Sequence, residues 1–244
     1  MKETVGALAG ALLESEKTVV FTGAGMSTES GLPDFRSPGG LWGKYRPEEL
    51  ASTEALNRNF ENFASFYRQR IATIGEVKPN KGHLILAEWE RRGIISAIVT
   101  QNVDGLHQAA GSKTVWELHG TLRKVRCQSC GKEYPAEMYS TETACGKCGG
   151  KLRPAVVLFG EMLPEDALSE GMELASSCSL FLVLGSSLAV SPANLLPERA
   201  KRNGASLFIV NNTSTHLDRL ADGVIHASIG EVLSAADELL ALNG

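Results

Sequence analysis

The sequence predicts an α/β chain: a doubly wound parallel sheet with a smaller second domain set into it. Three observations carry this expectation. Short apolar runs recur without polar alternation, as strands covered on both faces do. Amphipathic stretches separate them. Two segments, 36–81 and 121–153, break the rhythm.

Each element has its own signal. "MKETVGALAGALLESEK" reads as an amphipathic helix; its Glu3, Glu14 and Glu16, and the lack of a long apolar region, argue against a secretory leader. "TVVFTG" (18–23) reads as the first buried strand. Residues 36–81 hold helical stretches such as "NFENFASFYRQRIATI" and no strand. "GHLILAEWERRG" (82–93) reads as a helix stopped at Gly93, and "ISAIVTQN" (95–102) as the next strand. Residues 121–153 are rich in glycine, charge and cysteine. "PEDALSEGMELASS" (164–177) and "SPANLLPERAKRNG" (191–204, stopped at Gly204) read as helices around the strands "SLFLVLGSS" (179–187) and "ASLFIVNN" (205–212). "GEVLSAADELLALNG" closes the chain as a helix. The expected division is 1–35, 82–120 and 154–244 for the sheet domain, and 36–81 with 121–153 for the small domain.

The chain has 244 residues, enough to bury a sizeable core. A net charge of −4 argues against a nucleic-acid partner held by bulk electrostatics. No apolar run reaches the roughly 18 residues of a membrane span, so no membrane partner is expected and the cytoplasm is the expected location.

The motifs that carry chemistry sit at strand ends. In "FTGAG", Gly23 and Gly25 match the first two glycines of a Rossmann-like dinucleotide fingerprint, which lets backbone approach a pyrophosphate. Thr28 stands where the third glycine belongs, and no acidic residue is placed for a ribose. A plain tight turn stays open as a reading. After the next strand, Gln101, Asn102 and Asp104 offer amide and carboxylate groups suited to ribose hydroxyls and a carboxamide. "GSS" (185–187) and "NN" (211–212) follow two more strands. Four such strand ends in one sheet favour a nucleotide-sized ligand along its edge.

Cys127 and Cys130, then Cys145 and Cys148, form two Cys-x-x-Cys pairs with fourteen residues between them. This spacing predicts one closed, structural zinc site of four thiolates. The segment looks too short and polar for a core of its own, so metal is expected to supply much of its folding free energy. Disulfides and a zinc ribbon for nucleic acid are the alternatives. Cys178 stands alone at the start of a strand. Among the histidines, His119 lies at the expected domain junction, where ligand clefts form. His107 reads as a helix-surface residue, and His83, His216 and His226 as structural or exposed.

Together, "GAGMSTESGLPDFR", "TQNVDGLH", "ELHG", the cysteine pairs, "VVLFGE", "LGSSL" and "IVNN" resemble the sirtuin family of NAD-dependent protein lysine deacylases, in the family's order and over nearly the whole length. The resemblance implies a glycine loop of Gly23, Ala24 and Gly25, with Thr28 nearby, holding the dinucleotide. It implies Phe35 and Arg36 in a lid over the nicotinamide ribose, with Phe35 screening the reactive carbon. Gln101 would contact that ribose, and Asn102, Val103 and Asp104 would shape the nicotinamide pocket. Gly185, Ser186, Ser187, Asn211 and Ile229 would line the adenosine half. His119 would be the general base, deprotonating a ribose hydroxyl that attacks the bound acyl carbon. Val157, Phe159 and Gly160 would bind the acylated lysine peptide of a protein substrate as an added strand. Products would be free lysine, nicotinamide and O-acyl-ADP-ribose.

Tyr67 and Arg70, three apart on a helix, look like the pair with which some sirtuins bind a succinyl or malonyl carboxylate. Those enzymes generally carry Ala where this chain has Thr28, so deacetylation is the primary expectation. A dehydrogenase on the same sheet, a non-catalytic zinc-containing binding module, and mono-ADP-ribosyl transfer are the rivals.

Overall fold

A computed structural model describes residues 2–37, 39–43 and 46–243. Its centre is a six-stranded parallel sheet in the order β3-β2-β1-β7-β8-β9. The strands are β1 (Thr18–Thr22), β2 (Ala97–Thr100), β3 (Val115–Glu117), β7 (Leu180–Leu184), β8 (Ser206–Val210) and β9 (Gly223–Ile225). A second, three-stranded antiparallel sheet has the order β5-β4-β6, with β4 (Gly120–Cys127), β5 (Glu133–Pro135) and β6 (Leu152–Val156).

Helices cover both faces of the large sheet. They are α1 (Lys2–Glu14), α5 (Lys81–Arg91), α6 (Leu106–Ala110), α7 (Glu165–Ser177), α8 (Leu195–Arg202) and α9 (Ile229–Asn243). In β1 the burial logic is plain. Val20 points into one core with Leu8, Leu86, Trp89 and Leu233, whereas Val19 and Phe21 point into the other with Leu174, Phe181 and Leu196. All five β1 residues are buried, which is why the strand shows no polar alternation. Each large apolar side chain so buried stabilises the fold by about 1.5–3 kcal/mol. The capping box of α5 fixes its start: Asn80 accepts from His83 N–H, and His83 accepts from Asn80 N–H.

The small lobe gathers α2 (Pro47–Leu50), α3 (Thr53–Arg58), α4 (Phe60–Glu76) and the antiparallel sheet. One apolar cluster joins them, with Phe63, Phe66 and Tyr67 of α4 against Leu122, Val125, Tyr139 and Leu152. The cysteine segment, expected to be too short and polar for a core of its own, shares this one. Helix α4 lends it an apolar face, so metal is not its only source of stability. No helix among the described residues is long and apolar enough to cross a membrane.

Candidate active site

The sheet order reverses direction between β1 and β7, because β1 leads to β2 on one side while β7 pairs with its other edge. Open α/β sheets bind ligands in the crevice at such a switch point, beyond the carboxyl ends of the strands. The two loops there are pressed together. Gly25 N–H donates to Gly185 O at 2.9 Å, and Gly23 N–H to Leu184 O at 3.0 Å. A Cβ on Gly23 would lie 2.7 Å from Gly185 O, and one on Gly25 2.7 Å from Gly185 Cα. These glycines are therefore required by the contact between the two strand-end loops, before any ligand is considered. The element they open is a 3₁₀ helix, Ala24–Ser30, in which Thr28 Oγ1 donates back to Gly25 O.

A chain of side-chain bonds ties the strand ends together. Gln101 Nε2 donates to Ser186 Oγ at 2.7 Å, linking β2 to β7. Asn102 Nδ2 donates to Gly23 O at 3.0 Å and Ser27 Oγ at 3.2 Å, and Ser27 Oγ–H donates to Asp104 Oδ2 at 2.8 Å. Asp104 also accepts from Leu106 N–H at 2.9 Å. Burial pushes the Asp104 carboxyl up; its hydrogen bonds only partly oppose this. Ser27 joins Asn102 and Asp104, yet nothing in the sequence marked it beyond its place in the loop. Val103 is half-buried, and its carbonyl accepts from Leu122 N–H at 2.8 Å, so the pocket loop is stitched to the small lobe. Asn211 is buried at the end of β8, Ile229 is buried at the start of α9, and Ser187 is exposed.

His119 follows β3. Its Nδ1 stands 3.0 Å from Gln101 O. A carbonyl only accepts, so Nδ1 carries the proton and Nε2 keeps the lone pair of a base. Burial holds the imidazole below its ordinary pKa; the bond to Gln101 opposes this, and the nearby Arg36 charge adds to the lowering. His119 O accepts from Val157 N–H at 2.9 Å, so the His119 backbone is bonded directly to the start of the 157–160 segment.

That segment is braced on its other side. Phe159 N–H donates to Ala51 O and Thr53 N–H to Phe159 O, a parallel bridge. Gly160 is exposed, Val157 half-buried, and Phe159 46% exposed. Sequence reasoning missed the support beneath: buried Arg153 makes a two-pronged bond to Glu161, and Glu161 Oε2 accepts from Leu158 N–H at 2.9 Å. Burial pushes Glu161 up, but these bonds outweigh it and leave the carboxyl below its usual range.

Phe35 and Arg36 follow an Asx-type turn in which Asp34 Oδ1 accepts from Arg36 N–H and Ser37 N–H. Arg36 is exposed and Phe35 half-buried. Arg70 reaches across from α4, its guanidinium 5.4 Å from the Phe35 ring centre and 6.0 Å from that of Tyr67. Burial lowers the Arg70 pKa and pushes Tyr67 up to about 12.

The four paired cysteines converge. Their sulfurs all lie within 4.8 Å of one another, with Cys127 to Cys148 at 3.5 Å and Cys130 to Cys145 at 3.7 Å. A zinc tetrahedron with bonds of about 2.3 Å has sulfur–sulfur edges of about 3.8 Å, so the set fits one zinc ion with no open position. Ser129 N–H and Lys147 N–H donate to the first sulfur of each pair, as thiolates require. No disulfide joins the cysteines. His107, expected on a helix surface, is buried instead, and so is His83. Helix α6 has only five residues, too few to show a face in sequence.

Comparison with known proteins agrees with this geometry. The model of the Sir2 family matches residues 23–192. The NAD-dependent protein deacetylase 1 of Geobacillus kaustophilus is 59% identical over 232 residues, covering 94% of this chain and 96% of the relative. NAD-dependent protein deacylase 2 of Pyrobaculum aerophilum is 46% identical over 228 residues, covering 93% and 92%. A solved Sir2 with a deacetylated p53 peptide and 3′-O-acetyl-ADP-ribose superposes with a TM-score of 0.91 at 40% identity, covering 96% of this chain and 97% of that one. With a family model spanning most of its length and relatives aligned nearly end to end, the chain belongs to the Sir2 family.

Proposed function

We propose that this protein is an NAD-dependent protein lysine deacetylase working in the crevice between sheet and small lobe. The observation that carries the reading is His119: Gln101 O fixes its proton on Nδ1 and leaves Nε2 as a base, on a residue whose backbone is bonded to Val157 of the proposed peptide segment. Bound NAD supplies the acyl acceptor, with nicotinamide leaving and O-acetyl-ADP-ribose formed. Gly23, Ala24, Gly25 and Thr28 border the pyrophosphate side, and Gly185, Ser186, Ser187, Asn211 and Ile229 the adenosine side. Gln101 holds the ribose, while Asn102, Val103 and Asp104 form the nicotinamide pocket. Phe35 excludes water and Arg36 supports the cofactor from the lid. His119 Nε2 takes the proton of a ribose hydroxyl. Val157 and Gly160 bind the substrate backbone and Phe159 flanks the lysine. Zinc, held by Cys127, Cys130, Cys145 and Cys148, is structural. Five reduced thiols fit a reducing compartment, and the proposed location is the cytoplasm.

The test is product balance. An acetyl-lysine peptide incubated with NAD should yield deacetylated peptide, nicotinamide and O-acetyl-ADP-ribose in equal amounts by mass spectrometry, with no rise in NADH absorbance. Peptide gaining an ADP-ribosyl mass, or NADH appearing, would refute the reading.

Desuccinylation is a second reading, favoured by Arg70. Its guanidinium is packed among aromatic rings, and no ion pair to it is found among the described residues. A succinyl carboxylate would suit its planar donors. Arg70→Ala should lower turnover of a succinyl-lysine peptide by about tenfold or more relative to the acetyl version. An equal effect on both peptides would remove Arg70 from acyl selection.

A further inference from the structure

Two histidines with no part in the reaction sit behind the pocket loop. His83 is 0% exposed and His107 1%. Their ring centres are 4.8 Å apart. Each ring has one engaged nitrogen and one buried nitrogen without a partner: His83 Nε2 and His107 Nδ1.

The engaged nitrogens fix the tautomers. Asn80 N–H approaches His83 Nδ1 at 3.3 Å. A backbone N–H only donates, so Nδ1 holds a lone pair and the neutral ring carries its proton on Nε2. At the other ring, Thr22 Oγ1 gives its single proton to Thr100 Oγ1 at 2.7 Å. The 3.0 Å contact between Thr22 Oγ1 and His107 Nε2 must then be donated by the ring, which leaves the lone pair on Nδ1. The two orphaned atoms are thus one donor and one acceptor, on neighbouring rings. Burial keeps both rings neutral, lowering His83 to about 4 and, with added repulsion from His83, His107 to about 3.

We propose that His83 Nε2–H donates to His107 Nδ1, closing a one-directional relay that positions Asn102 from behind. Its members are Asn80 N–H, His83, His107, Thr22 and Thr100. Thr100 Oγ1 in turn accepts from Asn102 N–H at 3.0 Å. At the far end the Asn80 side chain donates to Met26 O at 2.8 Å, beside Ser27. Both ends of the relay therefore grip the walls of one pocket. The two rings are in contact, their centres 4.8 Å apart, and leaving both atoms unpaired in an apolar core is the costlier state. His83 and His107 are positioning residues, and the functional part of this inference rests on reading Asn102 as part of the nicotinamide pocket.

Nitrogen-15 NMR of the unmodified protein at pH 7 tests the relay directly. Both rings should be neutral and protonated on Nε2, with a coupling across the hydrogen bond between His83 Nε2 and His107 Nδ1. A ring protonated on Nδ1, tautomers in exchange, or no coupling overturns the proposal. His83→Phe keeps ring volume and removes the donor. It should raise the nicotinamide concentration for half-inhibition about tenfold while peptide KM stays within about twofold. Unchanged inhibition in a folded variant overturns the positioning role; if that variant does not fold, the tautomers decide. A wild-type protein that turns over NAD without inhibition by nicotinamide would refute the pocket assignment of Asn102 and leave the tautomer result standing.

Discussion

At the scale of single residues, the proposed base, His119, has its tautomer set by a backbone carbonyl. The bond to Gln101 O settles the tautomer, and burial settles the charge. The sign follows from the direction of the shift. A base fails as it takes up a proton, and a pKa held below 6.5 moves that failure to lower pH. The acid limb of kcat/KM for an acetylated peptide should therefore fall below pH 6.5. His119→Ala should abolish that limb along with about 100-fold or more of the rate, at an unchanged melting temperature. A limb at or above 6.5 in the parent, or near-normal turnover in the variant, would remove His119 from the role.

At the scale of elements, the 157–160 segment is held by a side chain that the sequence did not single out. Arg153, 3% exposed, is buried on β6, an edge strand of the small sheet, and Glu161 returns the chain to it. Losing one partner of a buried charged pair leaves the other uncompensated, which costs about 3–5 kcal/mol. Glu161→Gln keeps the shape but removes the charge and one acceptor, so it should weaken the small lobe as well as loosen the 157–160 segment. We expect peptide KM to rise about tenfold with NAD KM unchanged, measured by steady-state kinetics at saturating co-substrate. Equal changes in both constants would mean a general loss of structure. The contrast with what sequence did reveal is physical. Strands β1, β7 and β8 are almost wholly buried and read as apolar runs. Strand β3 has three half-buried residues and β9 three residues in all, so neither stands out. In β4, exposed Arg123, Lys124 and Arg126 hide the inward Leu122 and Val125. The strand-end residues were legible because their types suit a nucleotide. Ser27, Arg153 and the two buried histidines were not, because their importance lies in partners distant in sequence.

At the scale of the whole molecule, three apolar clusters divide the labour. Two flank the parallel sheet, and the third lies in the small lobe beside the cysteines. Cys127 and Cys145 belong to that third cluster, so the metal site and the apolar core of the lobe are one structure. In zinc-finger peptides, metal supplies roughly 10–16 kcal/mol and the apo chain is unfolded. Here α4 gives the lobe Phe63, Phe66 and Tyr67, and the sheet domain has cores that contain no cysteine ligand. Zinc removal should then loosen the small lobe and spare the sheet. After treatment with a strong chelator, or in Cys145→Ser, peptide turnover should be lost. Binding of ADP-ribose, proposed to rest chiefly on the ends of β1, β7 and β8, should persist within about tenfold by calorimetry, a shift of about 1.4 kcal/mol. Thermal unfolding should split, with an early transition from the lobe and a later one near the parent temperature. A single cooperative collapse with loss of ADP-ribose binding would mean that the two lobes fold as one unit. Undiminished turnover without zinc would mean that the apolar cluster alone holds the peptide segment in place.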